Sequence, residues 1–427
     1  MKYLRRTTLM KVFVINHYAA NKGDRAILYF ICRELIRNNI KSITVSAHND
    51  SFWSKGLSIN DRKIRFVPWG QEKQFTSACN KLNSIAIRAA NKFRRQYAFS
   101  ILKGFLKHNI LAVLPFVSTN EFKKALKDAD LVIGTGGHHI QTRFTSESLS
   151  PLTYDMALTL LSKKPLVLWS QSIGPLDFSD MRNRAFVKNI IDSAQTIYLR
   201  DKSSISEIRK TEATCHNIIE TFDSVIGLND EIQSYTPIDK RDIILGISVY
   251  SAEKRSIETF KEYITSLAGI IDYAIDSGFK IRFFPMEMNG AAADDRPCIQ
   301  AVLECVKRRD ACKVIEEDLD TVTHLREVAK CRLFIGHKTH SQIFALTVGT
   351  PLIALAYHEK TLDFMAQYNL QDNCILDSEL KTKRLVDGFE TICQNLEIVG
   401  RKQYETSRRY GEHVRKTFSE MLSQQEY

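Results

Sequence analysis

No stretch of 18 uncharged apolar residues occurs in this 427-residue chain, so a transmembrane helix is not expected. The nine cysteines include no CxxC pair. Cys298, Cys305 and Cys312 fall seven apart, which places them on one helix face and reads as core rather than metal site. Unpaired cysteines without an export signal point to a reducing, cytoplasmic location. The N-terminus has two arginines and a short apolar run broken by Lys11, and no small-residue cleavage site follows. Val12–Asn16 therefore reads as a first strand rather than a signal peptide. Neither a repeat of 20–50 residues nor a low-complexity tract is visible. Acidic residues are missing altogether between Glu72 and Glu121.

What is present bounds the answer further. The length suits two domains of about 200 residues each. Hydrophobic residues make up 44%, enough for sizeable cores. A formal charge of +11 and a pI near 9.1 suggest an anionic substrate, an anionic membrane surface or nucleic acid. The acid-free stretch 73–120 carries Lys73, Lys81, Arg88, Lys92, Arg94, Arg95, Lys103 and Lys107 among aromatic and aliphatic residues. Such a helix can lie on an anionic membrane, or it can be the solvated face of a helix packed in the first domain. No RNA- or DNA-binding signature accompanies the charge, so nucleic acid is not expected as a partner.

Apolar β-like runs alternate with helical patterns throughout. Candidate strands are Lys11–Asn16, Ile43–Ser46, Leu131–Ile133, Pro165–Ser170, Thr196–Leu199, Ile243–Val249, Lys280–Pro285, Leu333–Ile335 and Pro351–Ala356. This alternation predicts an α/β fold with parallel sheets covered on both faces. The polar segment 229–242, with Pro237, is the best boundary. It divides a first domain (1–232) from a second (240–395), followed by a polar helical tail (396–427).

The richest segment is 332–360. It reads as a strand, a Gly turn, a helix near Ser341–Val348 and a second strand. Lys338 and His340 fall where strand meets helix, and His358 and Lys360 follow the second strand. Strand carboxyl ends and helix N-termini are where an open parallel sheet binds anions. Strand-end cations can also be merely solvated.

Three further segments put polar groups at strand ends. Asn21-Lys22-Gly23-Asp24 follows the first strand, with Asp24 placed to cap the next helix. Gly134-Thr135-Gly136-Gly137-His138-His139 is a Gly-rich loop where backbone can approach a ligand. No acidic residue closes a following strand, so NAD is not expected. One of the two histidines could bond substrate or transfer a proton, or both could be solvated loop residues. Gln171 and Ser172 end one strand, and Arg200 ends another. Arg200 could clamp an anion or simply pair with Asp201.

Taken in order, these pieces resemble the polysaccharide pyruvyl transferase family. The matching elements are Asn21, Gly23, Asp24 and Ala26; Asp130–Gly137; Ser170–Pro175; Leu199-Arg200-Asp201 with Ser204; FDSVIGL at 222–228; Lys338, His340 and Phe344; and Pro351, Tyr357 and Lys360. The family usually has Arg-Leu-His where this chain has Lys338-Thr339-His340, and Lys keeps the charge but lacks the bidentate fork. The resemblance implies two Rossmann-like domains facing across a cleft, as in B-type glycosyltransferases. It also implies transfer of pyruvate from phosphoenolpyruvate onto sugar hydroxyls of a surface polysaccharide or its lipid-linked precursor, giving a ketal. Phosphoenolpyruvate would then be a co-substrate, with no other cofactor and no metal. Lys338, Lys360 and Arg200 would supply cations for its phosphate and carboxylate. His340 would contact the donor and act as general acid. His139, Asp24 and Glu287 are candidates for the acceptor hydroxyl. Gly136, Gly137, His138, Gln171, Ser172 and Tyr357 complete the expected binding set. A cytoplasmic enzyme with a basic amphipathic face would suit a lipid-linked acceptor at the inner leaflet. The competing reading is a nucleotide-sugar-dependent glycosyltransferase of the same fold.

Overall fold

Apolar runs of four to eight residues become strands, and the amphipathic stretches between them become helices. The computed structural model describes residues 10–18, 20–47, 58–59, 62–70, 118–142, 149–150, 152–214, 216–232, 234–250, 256–288, 294–357 and 359–426. Residues 71–117, which hold nearly all of the basic acid-free stretch, and His358 lie outside the described residues.

The chain divides into two units. Unit 1 comprises Met1–Ala19, Ile27–Phe222 and Thr417–Tyr427, and unit 2 comprises Ala20–Ala26 and Asp223–Lys416. The division thus falls at Phe222/Asp223, upstream of the polar 229–242 segment expected from the sequence. The motif segment Ala20–Ala26 packs with the second unit rather than the first. The tail is helical as Leu396–Ser423, but its residues up to Lys416 also pack with unit 2.

Unit 1 contains β1 (Lys11–His17), β2 (Ser42–Ala47), a small β3 (Ser58–Ile59) and β4 (Arg62–Lys63) pair, β5 (Arg65–Pro68), β6 (Leu131–Gly134), β7 (Gly137–Ile140), β8 (Leu166–Ile173), β9 (Thr196–Leu199) and β10 (Ile218–Glu220). Its main sheet runs β10–β9–β8–β6–β1–β2–β5, and every pairing is parallel. Strands buried on both faces are largely apolar, and β8 is buried along its whole length, Ser170, Gln171 and Ser172 included. On one face Phe13, Phe122, Val132, Leu168 and Phe186 form a continuous core. Trp169 is fully buried and packs on Tyr198 and, edge-on, on Phe418, with ring centroids 4.7 and 4.8 Å away. Each apolar side chain buried this way contributes about 1.5–3 kcal/mol.

Unit 2 contains β11 (Asp242–Ser248), β12 (Lys280–Phe283), β13 (Cys312–Val314), β14 (Cys331–Gly336), β15 (Leu352–Ala356) and β16 (Cys374–Leu376). The parallel order β13–β12–β11–β14–β15–β16 reverses direction between β11 and β14. That reversal is the topological switch point of a doubly wound sheet, where ligands bind beyond the strand carboxyl ends. Leu245, Ile247, Phe283, Leu333, Ile335 and Leu355 build the core beneath. Unit 1 has the same reversal between β1 and β6. Both units are therefore Rossmann-like, and the fold is α/β and glycosyltransferase-B-like.

Every candidate strand exists; five are longer than expected by one to three residues, two keep their length and two are shorter. The cysteine expectation changes: the helix carrying Cys298 runs Arg296–Cys305, so Cys312 lies beyond it in β13 and Cys305 is exposed.

Candidate functional site

Unit 2 gathers the strongest set. A helix, α1 (Lys22–Arg37), starts immediately after Asn21. Asn21 rather than Asp24 caps it: the Asn21 side-chain oxygen accepts from the Gly23 backbone N–H at 2.7 Å. Asp24 sits inside the first turn and is half-buried. The correction follows from where the helix begins, since a cap must precede the first helical residue.

Asn21 also ties this loop to the segment after β12. Asn21 and Glu287 form an isolated antiparallel bridge, and Lys22 N–H donates to the Met286 carbonyl at 3.0 Å. The Asn21 amide donates to Glu287 Oε1 at 2.6 Å. Lys22 and Arg25 both reach Asp318, at 2.7 and 2.9 Å. Burial lowers the Lys22 pKa, and the bond to Asp318 works against that shift.

The second wall is the turn after β14. Helix α2 (Thr339–Val348) begins two residues earlier than the sequence suggested. Lys338 is its N-cap residue and makes no side-chain capping hydrogen bond. Gly349 ends the helix in the left-handed region at φ 66°, which favours glycine. Lys338 is 7% exposed and its Nζ lies 2.8 Å from Asp295 Oδ1 and 3.5 Å from Glu287 Oε1. The other Asp295 oxygen accepts from Met286 and Glu287 backbone N–H at 2.8 and 3.1 Å. Burial pushes Asp295 up to about 6 despite the ammonium beside it.

His340 lies in the first turn of α2. Its Nε2 is 3.9 Å from Asp223 Oδ2, a carboxylate with no exposure. On its other side His340 abuts Gly23, where a Cβ would overlap the imidazole ring. Gly23 is thus required by contact, not by backbone angle. Gly23→Ala should force the ring aside and cut transfer activity by about 10²-fold. Helix propensity would meanwhile favour the alanine by up to ~1 kcal/mol. Activity assays alongside thermal unfolding check this: activity retained at wild-type level would show that the ring needs no such seat.

Beside them lies an aromatic group. Tyr250 and Tyr357 follow β11 and β15 and stack with centroids 4.3 Å apart. His337 is fully buried, with Nδ1 2.9 Å from the Tyr263 hydroxyl and Nε2 3.4 Å from Asp377. Lys360 is half-buried in the first turn of the helix Glu359–Gln367.

In unit 1 the Gly-rich segment differs from expectation. His138 and His139 are not at a loop tip; they lie on β7, which pairs with β8 through Gly137↔Gln171 and Ile140↔Ile173. Gly137 permits this path at φ 143°, and a Cβ at Gly136 would strike the Ser170 carbonyl. His138 Nε2 donates to the Gly174 carbonyl. His139 is 4% exposed, and burial, with Arg200 nearby, lowers it to about 3, so it is neutral near pH 7. Gln171 donates to the Thr135 carbonyl, locking the loop. Ser172 donates to Asp201 and accepts from Arg200 Nε at 2.8 Å. Asp201 also accepts from the Ser204 backbone N–H at 3.0 Å. Arg200 and Asp201 are thus joined through the Ser172 hydroxyl. The side chains of Gln171 and Ser172, expected at substrate, are fully buried and brace the framework.

The structure brings Asn21, Gly23, Asp24, Glu287, Lys338 and His340 together within unit 2, and Gly136, Gly137, His138, His139, Gln171, Ser172 and Arg200 within unit 1. Asp295 and Asp223 were not singled out as site residues from the sequence. A lone Asp gives no signal, although Asp223 lies inside the FDSVIGL segment. Among the described residues no group of three or more His, Cys, Asp or Glu side chains could hold a metal ion. Among them also, no helix is long and apolar enough to cross a membrane.

Several known proteins resemble this chain over most of its length. The chain is 23% identical over 410 residues to the amylovoran biosynthesis protein AmsJ of Erwinia amylovora, covering 91% of this chain and 94% of that protein. Its fold resembles Anabaena Alr3699/HepE in complex with UDP and glucose, with TM-score 0.56, 12% identity, and coverage of 97% and 100%. It also resembles the UDP-GlcNAc 2-epimerase of Neisseria meningitidis, with TM-score 0.54, 14% identity, and coverage of 95% and 100%. The sequence profile of the polysaccharide pyruvyl transferases matches residues 21–359, from the Asn21 cap to the start of the helix after β15, and the chain belongs to that family.

Proposed function

We propose that this transferase moves pyruvate from phosphoenolpyruvate onto two hydroxyls of a polysaccharide or of its lipid-linked precursor, forming a ketal. The observation that carries this reading is the uncapped N-terminus of α2, with Lys338 at its cap and His340 in its first turn. A phosphate or carboxylate is stabilised there by backbone N–H groups, and Lys338 and Lys360 add charge. Asp295 aims the Lys338 ammonium, which lacks the planar fork of an arginine.

The chemistry then needs acid and base. The His340 imidazolium, beside Asp223, gives its proton to C3 of the enol. The first sugar hydroxyl forms the bond to C2 as it loses its proton. The second hydroxyl gives its proton to the now neutral His340 and forms its own bond to C2, replacing the phosphate, whose C–O bond breaks with its electron pair leaving on phosphate. The products are the ketal and inorganic phosphate. A lipid-linked acceptor would bring the enzyme to an anionic inner-leaflet surface, a proposal that rests on the basic composition of 73–120.

Thermal unfolding with phosphoenolpyruvate tests the donor. At ten times Kd, binding adds about 1.4 kcal/mol, or about 3–5 °C in Tm. UDP serves as the parallel arm, because HepE was solved with UDP and glucose. A shift with UDP and none with phosphoenolpyruvate would replace this reading by nucleotide-sugar transfer.

A further inference from the structure

We propose that Glu287 is the catalytic base that receives the proton of the acceptor hydroxyl, through its Oε2 atom. The assignment rests on the pyruvyl-transfer reading and names the group which that reading leaves open.

The backbone of Glu287 is pinned from three sides. It forms the bridge with Asn21, its N–H donates to Asp295 Oδ2 at 3.1 Å, and its carbonyl accepts from Asp295 N–H at 3.0 Å. Its side chain is pinned through one oxygen only. Oε1 accepts from the Asn21 amide at 2.6 Å and lies 3.5 Å from Lys338 Nζ. Oε2 is buried and has no hydrogen-bond partner among the described residues, in a residue only 9% exposed. A buried carboxylate oxygen without a donor is costly, and nearly all such atoms in folded proteins are satisfied. A donor arriving with the substrate would satisfy it.

Charge selects the kind of donor. Glu287 and Asp295 place two carboxylates around one ammonium, Lys338. A phosphate or carboxylate oxygen would be repelled at Oε2, whereas a neutral hydroxyl would donate to it. Position selects the role. Asn21 holds Glu287, and Gly23, two residues on, seats the His340 ring. The carboxylate and the imidazole therefore flank one three-residue loop, as a base and an acid acting on one addition require. In the step, the hydroxyl O–H bond breaks and its proton moves to Glu287 Oε2. The freed electron pair forms the O–C2 bond while C3 takes the proton from His340. The proton on Glu287 then leaves with the departing phosphate.

The test uses the full chain, radiolabelled phosphoenolpyruvate, and membranes from cells lacking this gene as acceptor. Glu287→Gln should keep the phosphoenolpyruvate-induced Tm shift and lose about 10²–10⁴-fold in label transfer. In Glu287→Ala, added formate should restore at least tenfold of the lost rate by standing in for the carboxylate. Transfer by Glu287→Gln within threefold of wild type would overturn the assignment. If Glu287→Gln does not fold, Glu287→Asp decides. It keeps the charge beside Lys338 but withdraws the oxygen, so a wild-type rate overturns the assignment and a loss with the Tm shift intact supports it. Absence of both Tm shift and label transfer in the wild type would refute pyruvyl transfer itself, and this role with it.

Discussion

Replacing His340 by alanine is expected to lower kcat by about 10²–10⁴-fold, the range for loss of a positioned general acid. Three features place the ring: the first turn of α2, the Asp223 carboxylate 3.9 Å from Nε2, and the Gly23 contact that fixes it. His340 is nearly buried, so its removal leaves a small cavity beside Gly23 and little else. Label transfer from phosphoenolpyruvate, measured beside Tm, separates the two consequences. A folded His340→Ala protein with wild-type kcat would remove the histidine from the chemistry. Lys338 gives a less clean experiment. Deleting it strands Asp295 and Glu287 without a counter-charge, and breaking a buried pair costs about 3–5 kcal/mol on its own. A loss of activity in that variant would mix binding with folding.

Acid should destabilise both units through two buried histidines. His139 in unit 1 and His324 in unit 2 are each lowered to about 3, chiefly by burial, from an ordinary value of 6.5. The folded states keep them neutral while the unfolded chain takes up a proton. The stability they contribute is complete above pH 6.5 and is lost as pH falls toward 3. Between pH 7.5 and 5 each should remove about 2 kcal/mol. Asp295 acts in the opposite sense. Its pKa of about 6 lies above 3.8, so its contribution is complete below 3.8 and is lost as pH rises through 6. It offsets part of the acid loss in unit 2. Trp69 and Trp169 belong to unit 1 and no tryptophan occurs in residues 20–26 or 223–416, so tryptophan fluorescence in urea reads the His139 effect separately. His139→Gln should flatten the pH dependence of that transition. His324 packs between Phe284 and Phe344, with centroids 5.6 and 4.7 Å away, so His324→Phe should do the same for unit 2 by circular dichroism. Unchanged slopes in both variants would place the acid sensitivity elsewhere.

By itself the sequence determined the strands, the helices between them and the class of fold. Buried parallel strands are apolar along most of their length, so strands at Pro165–Ser170 and Pro351–Ala356 were readable without any partner. It also marked the ends of those strands, because Gly, His, Lys and Arg interrupt apolar runs only where the chain leaves the core. Lys338 and His340 were found in this way, whereas Glu287 entered only as a candidate beside the family resemblance. Tertiary structure decided what those residues meet. Ala20–Ala26 follows the first strand in the chain yet packs with the second unit, and no periodicity records a contact between residues 21 and 287. Asp295 and Asp223 were missed for the same reason. A single carboxylate is ordinary in a sequence, and it becomes informative only when burial removes its water and folding sets a lysine or a histidine beside it. The histidines of β7 show the reverse. Their pattern invited a loop, and pairing with β8 buried His139 and made it neutral. Local pattern is set by which face of an element is apolar, whereas the site is set by which elements the packed cores bring side by side.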